Sequence, residues 1–184
     1  MTSRFPRRLG TRASSVALVL LSGLSLALAA CNNDPDEVAD LDMTANDFSC
    51  ILDWPKVDKF RIVNLLGHQA DAEAVARSSE GGTYPVGTVI QLVPHEAMVK
   101  RQPGFSPRSG DWEFFLLDVS QEGTSIRMRG TEDVINDFGG NCLDCHAATE
   151  PKFDFVCSDD HGCEALEVTP EQLEAFQQSD PRCQ

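Results

Sequence analysis

Apolar and polar positions alternate with period two through the middle of the chain, the spacing that puts successive side chains on opposite faces of a strand. Phe60 to Leu66 alternates and stops at Gly67, which predicts a strand. Thr88 to Val93 predicts a second, with Thr88, Ile90 and Leu92 on one face. Trp112 to Val119 is the strongest: Trp112, Phe114 and Leu116 face one way, Phe115, Leu117 and Val119 the other. A strand apolar on both faces belongs in a central position, or between a core and a cofactor. Gln121, Glu122 and Gly123 turn the chain into Ser125 to Arg129, a hairpin pattern. Helical signals are short. Gln69 to Ser79 is alanine-rich and meets Gly81 and Gly82, which act as its stop. Tyr84 to Gly87 has proline second and glycine fourth, as a type I turn prefers. Thr169, Pro170 and Gln172 form a cap, a first-position proline and a capping-box partner for a helix to about Gln178. No internal repeat is visible. The pattern predicts an α+β domain, mainly an antiparallel sheet with short flanking helices.

The ends of the chain read differently. Arg4, Arg7, Arg8 and Arg12 precede an apolar run from Val16 to Ala30, too short for a membrane span and suited to an export signal. It ends in Leu28-Ala29-Ala30-Cys31, which resembles a bacterial lipobox. That resemblance implies acylation of Cys31 and a firm lipid hold on a membrane surface. Ordinary cleavage beside a structural cysteine is the alternative. Asn32, in place of Asp, implies the outer membrane, with the domain facing the periplasm. Arg7-Arg8 lacks the rest of a twin-arginine motif. Residues 32–47 are acidic and free of aromatic residues, a composition expected of a flexible tether. The expected organisation is a signal peptide over 1–30, a tether over 31–47 and one folded domain over 48–184.

Charge narrows the partners. The net charge is −14, and without the four leader arginines eleven basic residues stand against twenty-nine acidic ones, a net charge of −18. Such a chain excludes nucleic acid and anionic lipid heads as charge-driven partners. Acidity keeps a protein soluble, and it also suits a basic redox partner.

The seven cysteines carry the candidate chemistry. Cys142-Leu143-Asp144-Cys145-His146 is the pattern that attaches a c-type haem. Two residues between the thiols let both sulfurs reach the vinyl groups on one edge of the macrocycle, and His146 then ligates the iron. With Cys31 assigned to lipid, Cys50, Cys157, Cys163 and Cys183 remain, an even number in an oxidising compartment. Four cysteines allow three pairings. Cys157 and Cys163 lie close in sequence and are favoured as one bridge, which leaves Cys50 with Cys183. A zinc site drawn from Cys142, Cys145, Cys157, His161 and Cys163 is the competing reading.

The haem motif comes late, after a run of strands, whereas helical cytochromes c carry it near the N-terminus. That order resembles the cytochrome P-460 family and the related β-sheet cytochromes c-prime. The pieces are Gly87-Thr88-Val89, Glu96 to Lys100, the tryptophan-led Trp112 to Phe115, Cys142 to His146, and Asp154-Phe155-Val156, similar to the family's D-x-V. The resemblance covers roughly residues 60–156. The resemblance implies a mostly-β domain, often dimeric, with one covalent haem c and histidine as its only strong axial ligand. The hydroxylamine-oxidising members also bond a lysine to the macrocycle. Leu92 stands at that position here, and Lys100 is the fallback.

These readings imply an exported mono-haem cytochrome that binds nitric oxide or a related small gaseous or nitrogen-oxide ligand at an open face. Distal-pocket candidates are Leu92, Glu96, Met98, Phe105 and Phe114, with Phe115 as a further wall. An electron-transfer cytochrome with Met98 or His95 as sixth ligand is the alternative, and a hydroxylamine-oxidising enzyme is weakened by Leu92. The plainer readings are a solvated Glu96 at a strand end, core methionines at Met98 and Met128, surface histidines at His68 and His95, and an exposed turn at His161.

Overall fold

The computed structural model describes residues 40–165 and 167–184. The expected signal peptide, Cys31 and the first part of the expected tether lie outside them. The core is a six-stranded sheet in which every neighbouring pair is antiparallel, in the order β1 (Lys56–Val57), β2 (Phe60–Asn64), β3 (Thr88–Gln91), β4 (Glu96–Lys100), β5 (Trp112–Ser120) and β6 (Gly123–Gly130). It is a simple meander. Among the described residues, three short α-helices flank it: α1 (Gln69–Ala76), α2 (Cys142–His146) and α3 (Pro170–Gln178).

Register aligns the apolar positions into rows. Ile62 pairs with Ile90, Ile90 with Met98, and Met98 with Phe114, so four strands contribute to one apolar band. This face packs against Ala72 of α1, Leu143 of α2, Val134 and Val156. On the other face Val89, Ala97, Val99, Phe115 and Leu117 are covered by Met43, Phe48 and Trp54. Both faces of β5 are therefore buried, as its sequence predicts. Burying such side chains contributes about 2 kcal/mol each.

Three local expectations shift. Residues 40–47 already pack on the domain, ahead of the expected start near Phe48. Met43 is buried, and Arg101 binds Asp40 at 2.9 Å and the Leu41 carbonyl. The acidic run is not wholly a tether because Arg101, just past β4, and Arg129 of β6 reach back to it. Helix α1 stops at Ala76, short of Gly81. Gly82 instead donates its N–H to the Lys152 carbonyl at 2.8 Å, docking this loop on the segment after α2. The turn before β3 is one residue later than expected. Thr88 N–H bonds the Pro85 carbonyl, and Gly87 takes a φ of +85°, as the third position of a type II turn requires.

Two disulfides close the chain, Cys50–Cys183 and Cys157–Cys163. Both favoured pairings are present. Cys142 and Cys145 are free thiols.

Candidate functional site

A cavity of about 370 Å³ opens between the apolar band of the sheet and the segment after β6. Helix α2 forms part of its wall. Its five residues are held by caps rather than by length. Asn141 accepts the Asp144 N–H at 3.2 Å, its Nδ2 donates to the Glu132 carbonyl at 2.7 Å, and Leu143 is buried in the core. On a helix, Cys142, Cys145 and His146 stand at i, i+3 and i+4, which is one face. All three line the cavity.

His146 is fixed by the backbone. Its Nδ1 lies 2.6 Å from the Phe155 carbonyl. A carbonyl only accepts, so Nδ1 carries the proton and the neutral ring keeps its lone pair on Nε2. Burial disfavours the imidazolium and lowers the His146 pKa, with the Phe155 carbonyl opposing. The Phe114 ring packs against the imidazole at a centroid distance of 5.2 Å.

The carbonyl that holds His146 is itself held. Asp154 and Phe155 both take left-handed conformations, with φ of +50° and +65°. Such backbone persists only where its surroundings fix it. The fixing groups are Lys100, whose Nζ meets both Asp154 oxygens at 2.7 and 2.8 Å, the Tyr84 N–H at 2.9 Å, and the Trp112 indole N–H, which donates to the Asp154 carbonyl at 2.7 Å. Val156, the next residue, lines the cavity. The D-x-V run thus has a physical role: the carboxylate anchors the turn, the middle carbonyl orients the imidazole, and the valine walls the space.

The remaining wall is mixed. Ile90, Leu92, Met98 and Phe114 supply its apolar part. Glu96 lines it too and is half-buried rather than solvated. Burial raises its pKa, the Asp137 charge adds to the rise, and Arg127 opposes. Burial, then the neighbouring Glu96 carboxylate and Cys145, push the Cys142 thiol up to about 12. The disulfide Cys157–Cys163 closes one side, with the two sulfurs 3.7 and 3.8 Å from the Cys145 carbonyl.

Comparison with protein-family models, with curated proteins and with solved structures returned no match.

Several candidates fall elsewhere. Phe105 does not line the cavity. It is 38% exposed and lies against the Arg101 guanidinium at 4.6 Å. Lys100 points its ammonium at Asp154 and is no cavity lysine. His95 is exposed, and His68 sits at the start of α1, 3.6 Å from Asp71. Met98 is a buried core methionine that also faces the cavity, whereas Met128 is 43% exposed. His161 is no exposed turn residue. It stacks on Phe153 at 3.6 Å and meets the Val156 carbonyl through Nδ1 at 2.6 Å. The zinc set dissolves because two of its sulfurs are bonded to each other, and no metal-binding cluster occurs among the described residues.

Sequence reasoning misses Lys59, which lines the cavity and pairs with Asp159 at 2.6 Å, and Asn136, whose loop forms another part of the wall. No periodic signal marks either: Lys59 pairs with a residue 100 positions away, and Asn136 is set by hydrogen bonds within its own irregular loop.

The donor set fits a covalently held haem: two free thiols and one neutral imidazole on a single helix face, opening on a cavity whose wall on the sheet side is apolar.

Proposed function

We propose that this chain is an exported mono-haem c-type cytochrome, similar to the P-460 group, whose iron binds nitric oxide or a related small molecule. Cys142 and Cys145 hold the macrocycle through thioethers, and His146 offers Nε2 to the iron. Haem bound there would supply an iron able to take a small ligand. The observation that carries the reading is the Nδ1–H bond from His146 to Phe155, which fixes the tautomer and orientation an iron ligand needs. Leu92, Ile90 and Phe114 give the cavity an apolar wall, a setting suited to an uncharged diatomic.

Two disulfides fit an oxidising compartment, which supports export. Among the described residues no helix is long and apolar enough to cross a membrane. Attachment to the outer membrane through lipid on Cys31 completes the proposal.

Met98 lies in the cavity, so a six-coordinate electron-transfer cytochrome is the second reading. Hydroxylamine oxidation ranks third because Leu92 cannot form the cross-link and Lys100 is committed to Asp154.

The test is expression of the full chain with haem-maturation machinery. Haem should stay on the denatured polypeptide and be lost from Cys142→Ser/Cys145→Ser, and the reduced protein should bind carbon monoxide. Haem lost on denaturation overturns attachment. A low-spin ferrous spectrum indifferent to carbon monoxide moves the assignment to electron transfer, and a haem peptide with a third bond, to lysine, moves it to the enzyme.

A further inference from the structure

The loop between β6 and α2 presents an apolar surface that the site does not use. Phe138 stands at its tip and is 76% exposed. Ile135 in the same loop is 44% exposed, and Met128 on β6 is 43% exposed. Met128 pairs with Leu116, whose side chain belongs to the cavity-facing core, so it lies on that side of the sheet. The loop is tightly built. Ile135 bridges to Asn141, the Asn136 N–H bonds the Gly140 carbonyl at 2.8 Å, and the Asn136 side chain accepts the N–H groups of Phe138 and Gly140 at 3.1 and 2.8 Å. A fixed loop that holds an aromatic ring in water resembles an interface anchor.

Its location gives the surface a purpose. Asn136 lines the cavity, and the loop runs through Asn141 directly into Cys142. Asp137 lies close enough to raise the pKa of Glu96 inside the cavity. Whatever covers Phe138 sits next to the haem motif. The rim is acidic: Asp133 and Asp144 are exposed, while Glu132 and Asp137 are paired with Arg108 and Arg127. Four carboxylates against two guanidinium groups leave the rim negative. A second copy of this chain, with the same charge of −14, would be repelled, as would an anionic lipid surface.

We propose that Phe138, Ile135 and Met128 form the docking surface of a basic one-electron carrier protein that reduces the iron held by His146. This rests on the haem reading of the cavity. One electron leaves the partner's reduced centre and one ferric iron becomes ferrous, and no bond or proton changes hands. The step falls off steeply with distance, so the partner has to dock beside Cys142. The acidic rim accelerates encounter and selects the partner's charge, and Phe138 sets how long the complex lasts.

The probe is mitochondrial cytochrome c with zinc in place of iron, a basic protein whose light-excited state donates an electron to ferric haem. With the detergent-solubilised, haem-loaded full chain, quenching should be fast at low salt and fall steeply as salt rises. Phe138→Ser should slow it about tenfold. Asp133→Asn, at an exposed rim carboxylate outside the cavity wall, should slow it and flatten the salt dependence. Carbon monoxide binding should be unchanged in both variants, which shows that they are folded and loaded. Equal quenching in Phe138→Ser and the parent, or a rate indifferent to salt, overturns the proposal. A dimer in sedimentation that Phe138→Ser abolishes assigns the surface to a second copy and overturns it too. Absence of a haem band before any partner is added refutes the reading of the cavity, and the docking proposal with it.

Discussion

At the scale of single residues, the orientation of His146 depends on a pair that never touches it. Lys100 and Asp154 meet with side chains only 7% and 12% exposed. Burial raises the Asp154 pKa and the Lys100 charge opposes that rise. Lys100→Met would leave the carboxylate buried without its cation, a loss of about 3 kcal/mol. With the opposing charge gone, the folded-state pKa of Asp154 climbs further above its unfolded value. The folded variant then favours the protonated acid, so its stability is best below the unfolded pKa and declines as pH rises through the folded pKa. Thermal unfolding across the pH range above the ordinary carboxylate region should show the variant losing ground to the parent as pH rises. A constant difference would mean that Asp154 does not titrate there.

At the scale of elements, a glycine governs how closely two segments approach. Gly110 follows a turn of 3-10 helix and has a φ of +60°, and a Cβ there would lie 2.6 Å from the Phe155 ring. Gly110→Ala therefore combines backbone strain with displacement of the residue whose carbonyl holds His146. It should cost about 2 kcal/mol in denaturant unfolding. It should also disturb the ligand-binding spectrum of haem-loaded protein more than any surface substitution of equal stability cost. The strands are legible in the sequence because β5 and its hairpin partner carry their own alternation and turn. The helix α3 is legible because Thr169, Pro170 and Gln172 mark its start. Helix α2 is not, since five residues are too few for a period and its caps are made by Asn141 and the distant Glu132 carbonyl. The strand β4 is masked by its charged ends, Glu96 and Lys100, whose burial depends on contacts outside the segment. The Lys100 partner lies 54 residues away. Phe105 reads as a pocket wall from its aromatic character, yet its ring covers the buried Arg101 guanidinium, away from the cavity. The C-x-x-C-H run of Cys142 to His146 is visible in the sequence as a pattern, but the carbonyl that orients His146 leaves no trace in residue type.

At the scale of the whole molecule, one sheet serves two purposes on its two faces. The face with Ile90, Met98 and Phe114 turns to the cavity, while the face with Val89, Val99 and Phe115 is sealed by Met43, Phe48 and Trp54. That seal is fastened at the ends of the folded domain. Cys50 is bonded to Cys183 across 133 residues, Asp180 accepts the Ile51 N–H at 3.1 Å, and Arg182 donates to the Phe48 carbonyl at 3.1 Å. A crosslink that closes so long a loop restricts the unfolded chain strongly, by about 3–5 kcal/mol on the chain-entropy account. Cys50→Ala/Cys183→Ala should therefore lower the melting temperature by roughly 10 °C. The loss should leave the cavity side untouched at room temperature. The carbon monoxide spectrum of the loaded variant should match the parent, because Cys50 and Cys183 do not line the cavity. An altered spectrum would show that the two faces of the sheet are mechanically coupled through β4 and β5. An unchanged melting temperature would show instead that Asp180 and Arg182 hold the ends without the covalent bond.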